Sequence, residues 1–142
     1  MSGFLLDTCA VSEVVKKRPD GGLAGWMRTV DPLQVYVSVV TLGEIRKGIE
    51  CCADATRKAA LEAWLSNDIV HQFAGRVLTF DADVADRWGR LVAALKQKGI
   101  TPDAIDSLIA ATALEHNLSV VTRNASDFKN MNVGITNPWS TS

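Results

Sequence analysis

The sequence predicts a three-layer α/β/α domain with a mostly parallel central sheet. Short apolar runs (Phe4-Leu5-Leu6, Val35-Tyr36-Val37, Val77-Leu78 and Leu118 to Val121) alternate with longer segments of helical periodicity. These runs are too continuously apolar to leave one face in water, which is the pattern of a parallel sheet covered on both sides. Polar groups also follow two of the runs directly, Asp7 after the first and Asn124 and Asp127 after the last. In such sheets ligands bind outside the carboxyl ends of the strands.

Phe4-Leu5-Leu6-Asp7 reads as the first strand, and a helix is expected from Ala10 to Lys17, stopped by Pro19 and Gly21-Gly22. Leu23 to Thr29 forms a second short helix. Asp31-Pro32 leads into a strand from Val35 to Ser38, and Thr41 to Ile49 is helical. Ala59, Ala60, Ala63 and Trp64 lie at helical spacing within Ala55 to Trp64, with a continuation toward Val70. Val77 to Phe80 is the third strand. Asp81 caps a helix from Ala82 to Lys98 whose apolar stripe is Val84, Trp88, Leu91, Val92 and Leu95, and Gly99 ends it. Thr101-Pro102 opens a helix that reaches His116. Leu118 to Thr122 is the fourth strand, Gly134-Ile135-Thr136 a short edge strand, and the remainder a tail.

The 142 residues are expected to form one domain, 1–142, with 47% apolar and 22% charged residues in the ordinary globular range. No apolar run approaches the roughly 20 residues that span a bilayer. Met1 to Asp7 has no basic start and meets an acid too soon for a signal peptide, so a cytoplasmic chain without membrane contact is expected. Cys9, Cys51 and Cys52 are odd in number and lack CxxC spacing, which argues against a disulfide framework or zinc site; they are expected as small buried hydrophobes. A net charge of −1 gives no global field for nucleic acid. Basic residues cluster locally at Lys16-Lys17-Arg18, Arg46-Lys47, Arg57-Lys58 and Lys96/Lys98, read first as solvated faces. His71 and His116 have no ligand spacing and are expected as structural or surface residues.

Against this background four carboxylates stand out: Asp7, Glu44, Asp106 and Asp127. Asp7 is placed either to cap the next helix, a task Thr8 can also perform, or to act at the sheet end. The Asp after a first strand also occurs in haloacid-dehalogenase-type phosphatases, but Cys9 stands where their second Asp belongs. A receiver domain would need its phosphorylated Asp on a later strand and a Lys beyond, and no clear match exists. Glu44 ends Thr41-Leu42-Gly43-Glu44, a capping-box pattern that competes with a functional role. Asp106 is the only charge in Ala104 to Leu114, at the edge of the Ile105, Leu108, Ile109 and Thr112 stripe. A carboxylate in so apolar a helix needs a partner, either a structural salt bridge or a cation. Asp103 reads as a capping acid. Asn124 and Asp127 lie in a turn-forming loop beside Arg123, which is placed to contact a substrate phosphate or to pair with an acid. Convergence of the acids would make a site for a hard divalent cation and an enzyme acting on phosphate esters.

Leu5-Leu6-Asp7-Thr8, Ser38 to Ile45, Asp106 to Ala113, Val121-Thr122-Arg123-Asn124 and Asp127-Phe128 occur in one order, and Asn137-Pro138-Trp139 follows. Together they resemble the PIN-domain family, and within it the VapC/FitB-like toxins of bacterial type II toxin–antitoxin systems. The resemblance spans essentially the whole chain; Cys9 departs from the Asn or Ser that many relatives carry. It implies a Mg²⁺- or Mn²⁺-dependent endoribonuclease, with Asp7, Glu44 and Asp106 as metal-binding acids. Asp127 would be the charged fourth member, with Thr8, Asn124 and Arg123 as polar helpers. Glu44 or Asp127 would orient or deprotonate the attacking water. The resemblance further implies an RNA substrate, a small antitoxin that blocks the acidic cleft with an Arg, a homodimer, and operator DNA bound mainly through the antitoxin. The competing expectation is a non-catalytic PIN-like module that binds RNA or protein through the same acids.

Overall fold

A computed structural model describes residues 3–140; Met1 and Ser2 of the opening stretch and Thr141 and Ser142 of the tail lie outside the described residues. The strands are β1 (Phe4–Leu6), β2 (Val35–Ser38), β3 (Val77–Leu78), β4 (Ser119–Val121) and β5 (Ile135–Thr136). They form one sheet in the order β3-β2-β1-β4-β5, with every pairing parallel. In register, Phe4 and Leu5 face Val35 and Tyr36 on one side, while Phe4, Leu5 and Leu6 face Ser119, Val120 and Val121 on the other.

Side chains alternate across the sheet, and the burial follows. Leu6, Val35, Val37 and Val121 enter one core, with Ala10, Val11, Leu23, Ile45, Ile49, Leu65, Ile69, Phe73 and Trp139. Leu5 and Val120 enter the other, with Leu95, Ile109, Ala110, Ala113, Leu118, Phe128 and Met131. The first core lies under α1 (Thr8–Glu13), α2 (Gly21–Thr29), α3 (Val39–Glu50) and α4 (Ala55–Ala63). It continues through a π turn (Trp64–Ile69) and α5 (Val70–Gln72). The second lies under α6 (Ala82–Gln97) and α7 (Ala104–Glu115). The expected three layers are present.

The chain runs outward from β1 through β2 to β3, then returns to the opposite side of β1 as β4. The reversal places the crevice between the carboxyl ends of β1 and β4, where ligands bind in open parallel sheets. Among the described residues, no helix is long and apolar enough to cross a membrane.

Several local expectations are corrected. The first helix starts at Thr8 and ends at Glu13, because Asp7 caps it. The second starts at Gly21, capped by Asp20. The third starts at Val39, not Thr41: Ser38 is extended (φ −103°, ψ 156°), and its Oγ accepts from the Thr41 N–H at 3.2 Å. Ser38 thus takes the cap that the T-x-x-E pattern offered to Thr41 and frees Glu44 from capping. Because Ser38 is 1% exposed, Ser38→Ala is expected to cost about 1 kcal/mol. A thermal melt should show a loss of roughly 3 °C; an unchanged midpoint would contradict the assignment. The third strand is short, Val77–Leu78, leaving Phe80 exposed. The helix expected from Thr101 starts at Ala104 instead, capped by Asp103. Cys51 is exposed at the end of α3 and Cys9 and Cys52 are partly exposed, so none is fully buried as expected, although Cys9 packs against the first core. The tail packs down, with Trp139 in the first core. His71 and His116 are exposed.

Candidate active site

Asp7 directly follows β1 and is buried, 6% exposed. Its Oδ1 accepts from the Ala10 N–H at 2.9 Å and from the Cys9 thiol at 3.0 Å. Capping and placement at the sheet end are therefore combined in one carboxylate. Burial, followed by the hydrogen bond to Asp7, pushes the Cys9 thiol up to about 11. It stays protonated at neutral pH, a pin for the carboxylate and not a nucleophile.

Glu44 lies within α3, half-buried. The Thr8 hydroxyl donates to Glu44 Oε1 at 3.3 Å, and Lys47 Nζ stands 3.9 Å from Oε2. Asp106 lies in the first turn of α7, half-buried beside Ile105 and Ile109. Desolvation first, then the charges of Asp103, Asp127, Asp7 and Glu44, push its carboxyl up to about 6. No salt bridge to Asp106 is present among the described residues, so the structural ion pair weighed from the sequence does not form.

Asp7, Thr8, Glu44, Asp106 and Asn124 line one cleft of about 270 Å³, closed on its apolar side by Ile105 and Ile109. Asp127 lies on a 3₁₀ turn (Ala125–Phe128) and is exposed. It opens onto an adjoining cleft with Asp103, Asp106, Asn130 and Met131. Asp106 is shared by both clefts, so Asn124 and Asp127 approach it from different sides. Arg123 is exposed and makes no ion pair among the described residues.

The donor set consists of carboxylate, amide and hydroxyl oxygens, which suits a hard cation. Among the described residues no three His, Cys, Asp or Glu side chains close into a tight cage. A cage is not required: Mg²⁺ commonly keeps several waters and takes one or two carboxylates. The mutual repulsion felt at Asp106 is relieved by positive charge in the cleft. The residues present therefore fit such an ion.

Residues 4–133 match the PIN domain family. The chain belongs to that family. Toxin FitB of Neisseria gonorrhoeae is 35% identical over 96% of this chain and 98% of its own length. VapC ribonuclease Y4jK of Sinorhizobium fredii is 33% identical over 96% and 97%. Among solved structures, that of FitAcB from Neisseria gonorrhoeae superposes with a TM-score of 0.90 at 34% identity, covering 96% of this chain and 98% of that one. FitAB bound to an IR36 DNA fragment superposes with a TM-score of 0.89 at 32% identity, covering 98% and 97%. Sequence reasoning had singled out every acid of the cleft. It named Ser38, Trp139 and Lys16 without giving them a place beside the cleft, and did not name Ser12; Ser38 clears Glu44 for the site, and the other three adjoin the cleft through the fold alone.

Proposed function

We propose that residues 1–142 act as one PIN domain, a metal-dependent endoribonuclease that is the toxin of a type II toxin–antitoxin pair. The acid cleft carries this reading: Asp7, Glu44 and Asp106, from three separate elements, open on the same space at the carboxyl end of the sheet. Similarity to relatives named as a toxin and as a VapC ribonuclease supports it.

Asp7, Glu44 and Asp106 would hold Mg²⁺ or Mn²⁺, which when bound supplies an acidified water and neutralises charge on the reacting phosphate. The chain's own groups do the positioning. Ala10 N–H and the Cys9 thiol fix the Asp7 carboxylate by its Oδ1. The Thr8 hydroxyl orients Glu44 through Oε1. Glu44 is assigned to orient the attacking water and take its proton, because it shares the cleft with Asp7 and Asp106. Asn124 is the polar helper inside that cleft, and Asp127 contributes its charge from the far side of Asp106. Ile105 and Ile109 keep one wall dry, which strengthens each electrostatic contact. Looped or single-stranded RNA is the expected substrate, since its backbone can be splayed into an open cleft.

A groove of about 410 Å³ runs from the cleft, lined by Val15, Ile45, Ile49, Leu61 and Trp64 and joined to it at Thr8 and Glu44. An apolar antitoxin segment would fit it, with an Arg reaching the acids. A homodimer, with operator DNA held mainly through the antitoxin, completes the assembly. The solved FitAB complex bound to a DNA fragment supports DNA binding by such a complex.

The test is cleavage of single-stranded RNA by the purified protein with Mg²⁺ or Mn²⁺. Cutting should stop with EDTA and return when metal is added in excess. Cutting that survives EDTA overturns the metal-dependent mechanism. RNA binding without any cutting favours the non-catalytic module.

A further inference from the structure

A second pocket of about 300 Å³ adjoins the acid cleft, sharing Cys9 and Asn124 with it. Its other walls are Ser12, Glu13, Lys16, Arg123 and Trp139. Its chemistry is the reverse of the cleft's. Arg123 brings a guanidinium without an ion pair among the described residues. Lys16 adds an ammonium whose side chain is 56% exposed. Glu13 offsets only one of these charges. Its Oε1 accepts from Lys16 Nζ at 2.9 Å and its Oε2 from the Asp20 N–H at 3.0 Å. The Lys16 hydrogen bond, with the Asp20 N–H adding to it, holds Glu13 below the usual carboxylate range.

Trp139 lines the same pocket. It is 9% exposed, and its indole Nε1 is a buried donor with no hydrogen-bond partner among the described residues. Buried donors are rarely left unpaired, because an unsatisfied one costs about 1–3 kcal/mol. The ring forms part of the pocket's lining, while Nε1 itself is enclosed.

We propose that this pocket is a subsite for an RNA backbone phosphate next to the one being cut, held by Arg123 and Lys16 beside the Trp139 ring. The proposal rests on the nuclease reading, and it adds a function for residues outside the acid cleft. The shared Asn124 and Cys9 make the two spaces consecutive along one track. One strand therefore presents a phosphate to the acids and its neighbour to the cations. The pocket supplies register: phosphate contacts position a strand without reading its sequence.

The test uses the Asp106→Asn protein, so that binding is read without cutting. The probe is a short fluorescein-labelled single-stranded RNA of mixed sequence, followed by anisotropy across a salt series in Mg²⁺. Adding Lys16→Gln and Arg123→Gln together should weaken binding about tenfold. It should also make the salt dependence shallower by about 0.7 for each phosphate that is no longer neutralised. Both side chains are exposed, so folding should be untouched, as circular dichroism will check. Inorganic phosphate, compared with chloride at equal ionic strength, should displace the RNA no better. Displacement that vanishes in the double variant would identify a free-phosphate site and overturn the assignment to RNA. A double variant with the parental affinity and slope overturns the subsite. Cleavage by the native chain tests the nuclease reading separately.

Discussion

Asp106→Asn is expected to lower RNA cleavage by roughly 10³-fold, about 4 kcal/mol of transition-state stabilisation. It should simultaneously stabilise the metal-free protein at pH 7.5. Both effects follow from where the carboxyl sits. Its folded value is pushed up from 3.8 to about 6 by desolvation and then by Asp103, Asp127, Asp7 and Glu44. A raised carboxyl value means that the folded chain binds the proton more tightly than the unfolded one. The penalty is therefore absent below about pH 3.8, grows between there and about 6, and is fully present above. The shift corresponds to about 3 kcal/mol at most. Solvent reaches part of this group, so about 1–2 kcal/mol is the reasonable share. Removing the charge should thus raise the melting midpoint in EDTA at pH 7.5 by roughly 3–6 °C, with the gain collapsing toward pH 4. Added Mg²⁺ should reverse the order, raising the native midpoint and leaving the variant's unmoved. A variant that melts lower at pH 7.5, or by the same margin at every pH, contradicts this account.

The parts of the site that were legible in the sequence share one property: each conflicts with its local surroundings. Asp106 is the only charge from Ala104 to Leu114, in a helix whose Ser107, Ile109, Ala110, Ala111, Thr112 and Ala113 are buried, so burial by pattern left the acid unexplained. The strands were legible because Leu5, Val37 and Val120 are fully buried in runs apolar on both faces. Glu44 was ambiguous because Ser38 and Thr41 both suit a helix start. The extended backbone at Ser38 decides it, and that comes from the β2 pairing rather than from the local sequence. Asn124 and Asp127 are three residues apart, yet a 3₁₀ turn sends them to different clefts on either side of Asp106. The continuation toward Val70 was legible as helix, but not that Trp64–Ile69 would wind as an i→i+5 turn. Least legible was the pairing of Lys16 and Ser12 with Arg123 and Trp139. These residues are more than one hundred positions apart, and only the β1–β4 pairing and the packed-down tail bring them together.

The packing of that tail predicts the largest stability effect outside the cleft. A Cβ on Gly22 would lie 2.2 Å from the Pro138 carbonyl oxygen, 2.7 Å from the Ser140 nitrogen and 2.9 Å from the Trp139 carbonyl carbon. All three are backbone atoms, so no side-chain rotation relieves the clash. The tail is held against α2 by Asp20, whose Oδ2 accepts from the Leu23 N–H at 3.0 Å and from the Ser140 N–H at 3.0 Å. The Gly22 N–H also donates to Ser140 Oγ at 3.0 Å. Gly22→Ala must therefore lift the tail from α2, and Trp139 leaves the first core with it. Removing a buried Trp costs about 3–5 kcal/mol, a large share of the roughly 5–15 kcal/mol that holds a domain together. The melting midpoint should fall by roughly 10 °C. Trp139→Ala should cost a similar amount. The double variant decides the cause: with Trp139 already gone, Gly22→Ala should add little, because the two changes break the same packing. Additive losses in the double variant would mean that the glycine is required by α2 itself and not by the tail.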